Sequence, residues 1–168
     1  MIVVSDTSAI NNLTAIGQLI LLKQLYGTVI IPEAVYQELN KPTVSAGGKE
    51  AKDYDWIKVQ SVGDRTIVEN LLKSLDSGES EAIALAIELN ADLLLLDEQS
   101  ARRLATQKGI NRTGILGVLM EAKAQGILSE IRPLIEQLRN QADFWLSEAL
   151  CNYVLQKAGE ALLKEDYC

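Results

Sequence analysis

An α/β fold with a central, mainly parallel sheet is predicted by three observations. Short β-branched or leucine-rich runs alternate with longer stretches of helical apolar spacing, the pattern of strands joined by helical crossovers. The run Leu93-Leu94-Leu95-Leu96 shows no alternation of apolar and polar residues, as a strand covered by helices on both faces requires. Finally, 168 residues with 48% hydrophobic and 23% charged side chains suffice for a single domain with its own core.

The first strand is Ile2-Val3-Val4, closed by Ser5-Asp6. Helical patterns follow over residues 8–14 and 18–26, the second carrying Leu19, Leu22 and Leu25 on one face and ending at Gly27. Residues 28–31 form a second strand, and Pro32 is suited to be the first residue of a helix reaching Leu39. Residues 41–48, with Pro42 and the Gly47-Gly48 pair, read as a loop that moves. A third strand is expected over 56–62, then helices over 65–75 and 78–90 separated by Asp76-Ser77-Gly78. Residues 92–96 form the fourth strand, 98–108 a helix and 110–112 a brief fifth strand. The rest is helical, over 113–124, 129–140 and 146–158, so a core of residues 1–125 carries a C-terminal helical extension over about 126–160.

The chain contains no histidine. That excludes Ser-His and Cys-His nucleophile pairs, imidazole acid–base catalysis and His-ligated zinc or haem. Chemistry is left to carboxylates, hydroxyls, lysine, arginine or a bound metal ion. Two cysteines, Cys151 and Cys168, are too few for a secreted disulfide framework and are not spaced as a metal or redox pair. The N-terminal residues lack a basic stretch and reach an acid at Asp6, unlike a signal peptide. Apolar runs fall far short of the ~20 residues that span a bilayer. The expectation is a cytoplasmic protein with no membrane association.

In open parallel sheets, ligands bind beyond the carboxyl ends of the strands, where the strand order reverses. Asp6 closes the first strand and Asp97 the fourth; Glu79 opens the helix before the fourth strand, and Glu38 lies on the helix after the second. Each acid has a structural alternative. Asp6 and Asp97 are good N-caps, Asp76 to Glu79 fits a capping box, and Glu38 could pair with Lys41. Jointly they suggest a negative pocket, since neither Asp6 nor Asp97 has a lysine or arginine adjacent in sequence. Hard oxygen donors gathered in this way suit Mg²⁺ or Mn²⁺.

Four segments, Val3-Val4-Ser5-Asp6-Thr7-Ser8, Pro32 through Leu39, Leu75 through Ala82 and Asp92 through Glu98, resemble the PIN domain, in the branch of prokaryotic proteins grouped with VapC-type toxins. Thr113-Gly114-Ile115-Leu116-Gly117-Val118-Leu119 and Ala122 through Gly126 extend the resemblance over almost the whole chain. It implies a three-layer fold with about five parallel strands. It also implies a Mg²⁺- or Mn²⁺-dependent ribonuclease whose metal is held by Asp6, Glu38, Glu79 and Asp97. Many PIN domains carry an aspartate at the third motif, where this chain offers Glu79 and Glu81. Glu79 takes the usual position counted back from Asp97; Glu81 lies about 200° further round the helix and is held in reserve. Thr7 or Ser8 would orient a carboxylate or metal water, with helix capping as the alternative. Glu98 is either an additional outer acid or an i,i+4 partner of Arg102. Arg102 and Arg103 could grip RNA phosphates or belong to a solvated face. A cognate antitoxin, a toxin–antitoxin role and a homodimer are further implications.

A net charge of −7 stands against nucleic-acid binding unless basic side chains such as Arg65, Lys73, Arg102 and Arg103 gather locally. Phosphotransfer folds with strand-end aspartates fit poorly: a haloacid-dehalogenase pattern needs an acid where Ser8 stands, a receiver domain an acidic pair, and no glycine-rich phosphate loop is present. The other reading is a non-catalytic PIN-like module that binds RNA or protein. The C-terminal helices, with Leu134, Leu138, Phe144, Trp145, Leu146, Leu150, Tyr153 and Leu155, either pack on the core or form an interface.

Overall fold

The computed structural model describes residues 1–41, 54–141 and 145–163. Pro42, Gly47 and Gly48 of the expected moving loop, Phe144 and Cys168 lie outside the described residues. Two compact units divide the chain, Met1–Ile115 and Leu116–Cys168.

The first unit is built on a five-stranded sheet. Its elements run β1 (Val3–Ser5), α1 (Thr7–Ala15), α2 (Ile20–Tyr26), β2 (Val29–Pro32), α3 (Glu33–Leu39) and β3 (Ile57–Gln60). They continue with α4 (Arg65–Leu71), α5 (Ser77–Glu88), β4 (Leu93–Leu95), α6 (Gln99–Gln107) and β5 (Arg112–Thr113). The strand order is β3-β2-β1-β4-β5, and every pair is parallel. Strand β1 is central, with Val4 opposite Ile30 on one side and Leu94 on the other. Both valines of β1 are fully buried, as are Leu94 and Leu95, which accounts for the lack of alternation in these strands. The core around them includes Val4, Ile83, Leu85, Leu94, Leu96 and Ala101. Helix α5 is buried through Ala82, Ile83, Ala84, Leu85 and Ala86, its alanines permitting close approach of neighbouring backbone.

The chain builds β1, β2 and β3 outward in one direction and then returns to lay β4 on the opposite side of β1. The order therefore reverses between β1 and β4, and the crevice of this fold opens at their carboxyl ends. The backbone N–H of Asp6 donates to Leu95 O at 3.0 Å, so the two strands stay paired up to that crevice.

Among the boundaries that differ from the sequence expectation, three have a local cause. Pro32 is extended (φ −74°, ψ 166°), so it ends β2 and is the N-cap of α3 rather than its first residue. The expected helix over 65–75 stops at Leu71, because Lys73 and Ser74 close three-residue turns on Asn70 and Leu71. Strand β5 starts at Arg112 instead of residue 110, since the Ile110 N–H folds back onto Ala105 O after Gly109 (φ +73°) ends α6.

Leading into the second unit, α7 spans Ile115–Ala124, followed by α8 (Arg132–Arg139) and α9 (Glu148–Lys157). Pro133 lies in the first turn of α8, where a missing N–H costs nothing. Glu160 accepts from the backbone N–H groups of Ile131 and Arg132 and from Lys123 Nζ at 2.8 Å, joining α7 to the start of α8. Leu134, Leu138, Leu146 and Leu155 are buried, whereas Trp145, Leu150 and Tyr153 are exposed. Cys151 is a buried free thiol. Among the described residues no helix is long and apolar enough to cross a membrane.

Candidate active site

Asp6 follows the last residue of β1 and is only 1% exposed. Its Oδ1 accepts from the Ala9 N–H at 3.0 Å, capping α1 as the structural alternative anticipated. Its Oδ2 is buried with no hydrogen-bond partner. Burial drives the Asp6 pKa well above the ordinary aspartate value, and the nearby Asp97 and Glu79 carboxylates push it the same way.

Asp97 lies just beyond β4 and does not cap α6; the N-cap there is Glu98, whose side chain makes no capping bond. Asp97 Oδ1 instead accepts from the Ile115 N–H at 2.8 Å, at the corner after β5. Gly114 makes this approach possible, since a Cβ at that position would lie 2.5 Å from Asp97 Oδ1. Like its counterpart on Asp6, Asp97 Oδ2 is buried without a hydrogen-bond partner. Burial raises the Asp97 pKa, against the Ile115 hydrogen bond, the Arg102 guanidinium and the Asn12 side chain, which all lower it.

Glu79 completes the predicted capping box: Asp76 Oδ1 accepts from the Glu79 N–H at 2.8 Å, and Glu79 Oε2 from the Asp76 N–H at 3.3 Å. The carboxylate still acts on the site. Its pKa is raised by burial and then by Asp76, Glu98 and Glu38, and it contributes in turn to the elevation of Asp6. Glu38 does not pair with Lys41 among the described ion pairs; its Oε2 accepts from Thr7 Oγ1 at 3.0 Å. Thr7, in the first turn of α1, can reach across because Gly78 has no side chain: a Cβ there would sit 3.1 Å from Glu38 Oε2 and 3.3 Å from Thr7 Oγ1. Ser8 is exposed on the next position of α1.

Glu81 is turned elsewhere. Its Oε1 accepts from the Ala34 N–H in the first turn of α3 at 3.2 Å, and its Oε2 meets Arg65 Nη1 at 3.4 Å. Asp97 and Glu79 thus act on Asp6, and Glu38 and Glu98 on Glu79, while Glu81 links α5, α3 and α4. Glu98 forms no i,i+4 ion pair with Arg102 among the described residues; it acts on Glu79 instead. Arg102 and Arg103 lie on α6, where with Arg112 they line an open pocket. Gly78 and Gly114 are positioning residues that sequence reading passed over. Their signal was present, since each adjoins a site acid or its hydrogen-bond partner.

The two orphaned oxygens provide a test for a metal. A buried carboxylate oxygen without a donor is costly, and among the described residues the only such oxygens belong to Asp6 and Asp97, at the paired strand ends. Two carboxylates of this kind fit Mg²⁺ or Mn²⁺, which retain water and complete their shell with substrate phosphate oxygens. Among the described residues no three acidic or thiol side chains are close enough to hold one ion by themselves. The two aspartates thus fit such an ion through their unpartnered oxygens.

A family model described as DUF3368, PIN domain, matches residues 2–160. No curated protein matches the sequence. Among solved structures, the chain is similar to a PilT N-terminus domain protein from the hyperthermophilic archaeon Sulfolobus solfataricus P2, with a TM-score of 0.54 and 20% identity. That similarity covers 86% of this chain and 100% of the other and bears on the fold alone.

Proposed function

The chain belongs to the PIN-domain family, and from that premise we propose that it is a Mg²⁺- or Mn²⁺-dependent endoribonuclease of the VapC-like branch. PIN domains are in general nucleases that use divalent metal ions. The observation that carries the reading is the shared division of labour in Asp6 and Asp97: one oxygen bonded to backbone, the other buried and unpartnered.

In this reading the two free oxygens would hold the cation, while the bonded oxygens fix the carboxylates through Ala9 of α1 and the Ile115 corner after β5. A divalent cation supplies activation of water and polarisation of the scissile phosphodiester. Glu38, held by Thr7, and Glu79, held by Asp76, are preorganised side chains that would hold the ion or its water. Within a cell the protein would be the cytoplasmic toxin of a type II toxin–antitoxin pair, a homodimer restrained by a cognate antitoxin whose basic segment suits its charge of −7.

The test is incubation of purified protein with a structured-RNA pool and Mg²⁺ or Mn²⁺, with EDTA and Asp6→Asn as controls. Cleavage lost in both controls supports the ribonuclease. A folded protein that binds RNA and never cuts it is the second reading, a non-catalytic module, which the lack of a three-acid group among the described residues favours. Growth arrest by wild type but not by Asp6→Asn tests the toxin assignment, and sedimentation equilibrium tests the dimer.

A further inference from the structure

A protein of charge −7 needs a local basic footprint if it is to hold a polyanion. One exists beside the acids. An open pocket of about 450 Å³ is lined by Gln99, Arg102, Arg103, Thr106, Gln107 and Arg112, three guanidinium groups with amides and a hydroxyl and no carboxylate. Among the described residues the ion pairs engage Arg65, Lys123 and Arg132, so none of the three pocket arginines is neutralised by one.

The pocket is also preorganised. Arg112 Nε donates to Arg102 O at 3.0 Å and to Thr106 Oγ1 at 2.8 Å, fixing the β5 guanidinium against the last turns of α6. Thr106 Oγ1 in turn donates to Arg102 O at 2.9 Å. Arg102 Nε is buried and has no hydrogen-bond partner. Arg102 belongs to both places: it lines the pocket and lowers the pKa of Asp97, and its Nη1 comes 3.7 Å from the position a Cβ on Gly114 would take.

We propose that this three-arginine pocket is a phosphate subsite that seats a backbone phosphodiester of the RNA strand flanking the bond presented to Asp6 and Asp97. The assignment of RNA as the ligand rests on the ribonuclease reading; the assignment of phosphate rests on the pocket. Planar guanidinium forks match phosphate oxygens in pairs, and their number allows recognition without base contacts. Arg112 is thereby a binding residue that the sequence did not single out.

The experiment is fluorescence-anisotropy titration of a labelled single-stranded RNA oligonucleotide in EDTA, over a range of salt concentrations, with cleavage in Mn²⁺ scored separately. Arg103→Gln and Arg112→Gln should each weaken binding about tenfold at low salt. Each should also reduce the slope of log K against log salt by about 0.7, whereas Lys58→Gln on β3 should leave both unchanged. Arg103 is exposed, so its variant carries the test if Arg112→Gln melts early. RNA affinity unaltered in folded Arg103→Gln and Arg112→Gln, or undetectable in wild type, overturns the subsite. Inorganic phosphate or a nucleoside monophosphate that binds through these arginines while RNA affinity ignores them also overturns it, marking a site for free phosphate. Cleavage that persists with unaltered RNA affinity removes the subsite and leaves the ribonuclease; arginine-dependent binding without any cleavage does the reverse.

Discussion

Glu160 and Asp6 are both acids drawn into the protein, in different units, and their surroundings treat them in opposite ways. Burial pushes the Glu160 carboxyl up, but Lys123 and the N–H groups of Ile131 and Arg132 more than offset it and hold its pKa below the ordinary value. For Asp6, the backbone N–H groups of Ala9 and Asp97 do not offset burial and the charges of Asp97 and Glu79, and its pKa is pushed well above. Glu160 is a finished structural joint. Asp6 and Asp97 each keep a buried oxygen with no hydrogen-bond partner, and the contrast separates a carboxylate whose charge is met by the fold from a pair whose charge is not.

The largest break in that contrast is in activity. Asp6→Asn and Asp97→Asn retain an Oδ1 acceptor for Ala9 or Ile115 but lose the charge, so metal-dependent cleavage should fall about a thousandfold while circular dichroism stays native. Glu160→Ala should leave the cleavage chemistry unaltered yet destabilise the second unit by about 2 kcal/mol, measured by urea unfolding, because two helix-start N–H groups and Lys123 lose their acceptor. Gly114→Ala sits between these cases. Its Cβ must displace Asp97, so both a loss of cleavage and a destabilisation of about 1–3 kcal/mol should appear together.

A smaller effect sharpens the sign. In EDTA at neutral pH, Asp97→Asn should melt above wild type by a few degrees, a gain of about 1 kcal/mol from relieved repulsion and desolvation. The folded-state pKa values of Asp6, Glu79 and Asp97 are raised, so the folded chain retains protons that the unfolded chain releases. Stability from these groups is therefore greatest below the unfolded carboxylate range and is lost as pH rises through their raised values. The advantage of Asp97→Asn should accordingly shrink as the pH is brought down toward 4. Added Mg²⁺ should reverse the ranking by stabilising wild type more than the variant; equal shifts in Tm would count against a shared site.

Much of this was legible in the sequence because parallel strands buried on both faces leave an unbroken apolar run. Leu93 through Leu96 and Ile2-Val3-Val4 could be placed with little else, and their following aspartates came with them. Glu38 was harder to interpret. Its neighbour at Lys41 offered a local partner, while its actual donor, Thr7, is 31 positions away in the chain. Glu98 stayed open between two readings for the same reason, the i,i+4 rule being a weak preference that sequence spacing alone does not decide. Arg112 was invisible because its role depends on β5 lying beside α6, a juxtaposition of the fold rather than of the chain.

The split use of oxygens in Asp6 and Asp97 bears on how related sequences should be read. In a relative that does not cut, capping α1 and tethering Ile115 would still reward a side-chain oxygen at each position, so an aspartate could persist there without any chemistry. Retained acids at these two sites are therefore weak witnesses to activity. The informative letter is asparagine, which keeps the scaffold and silences the site.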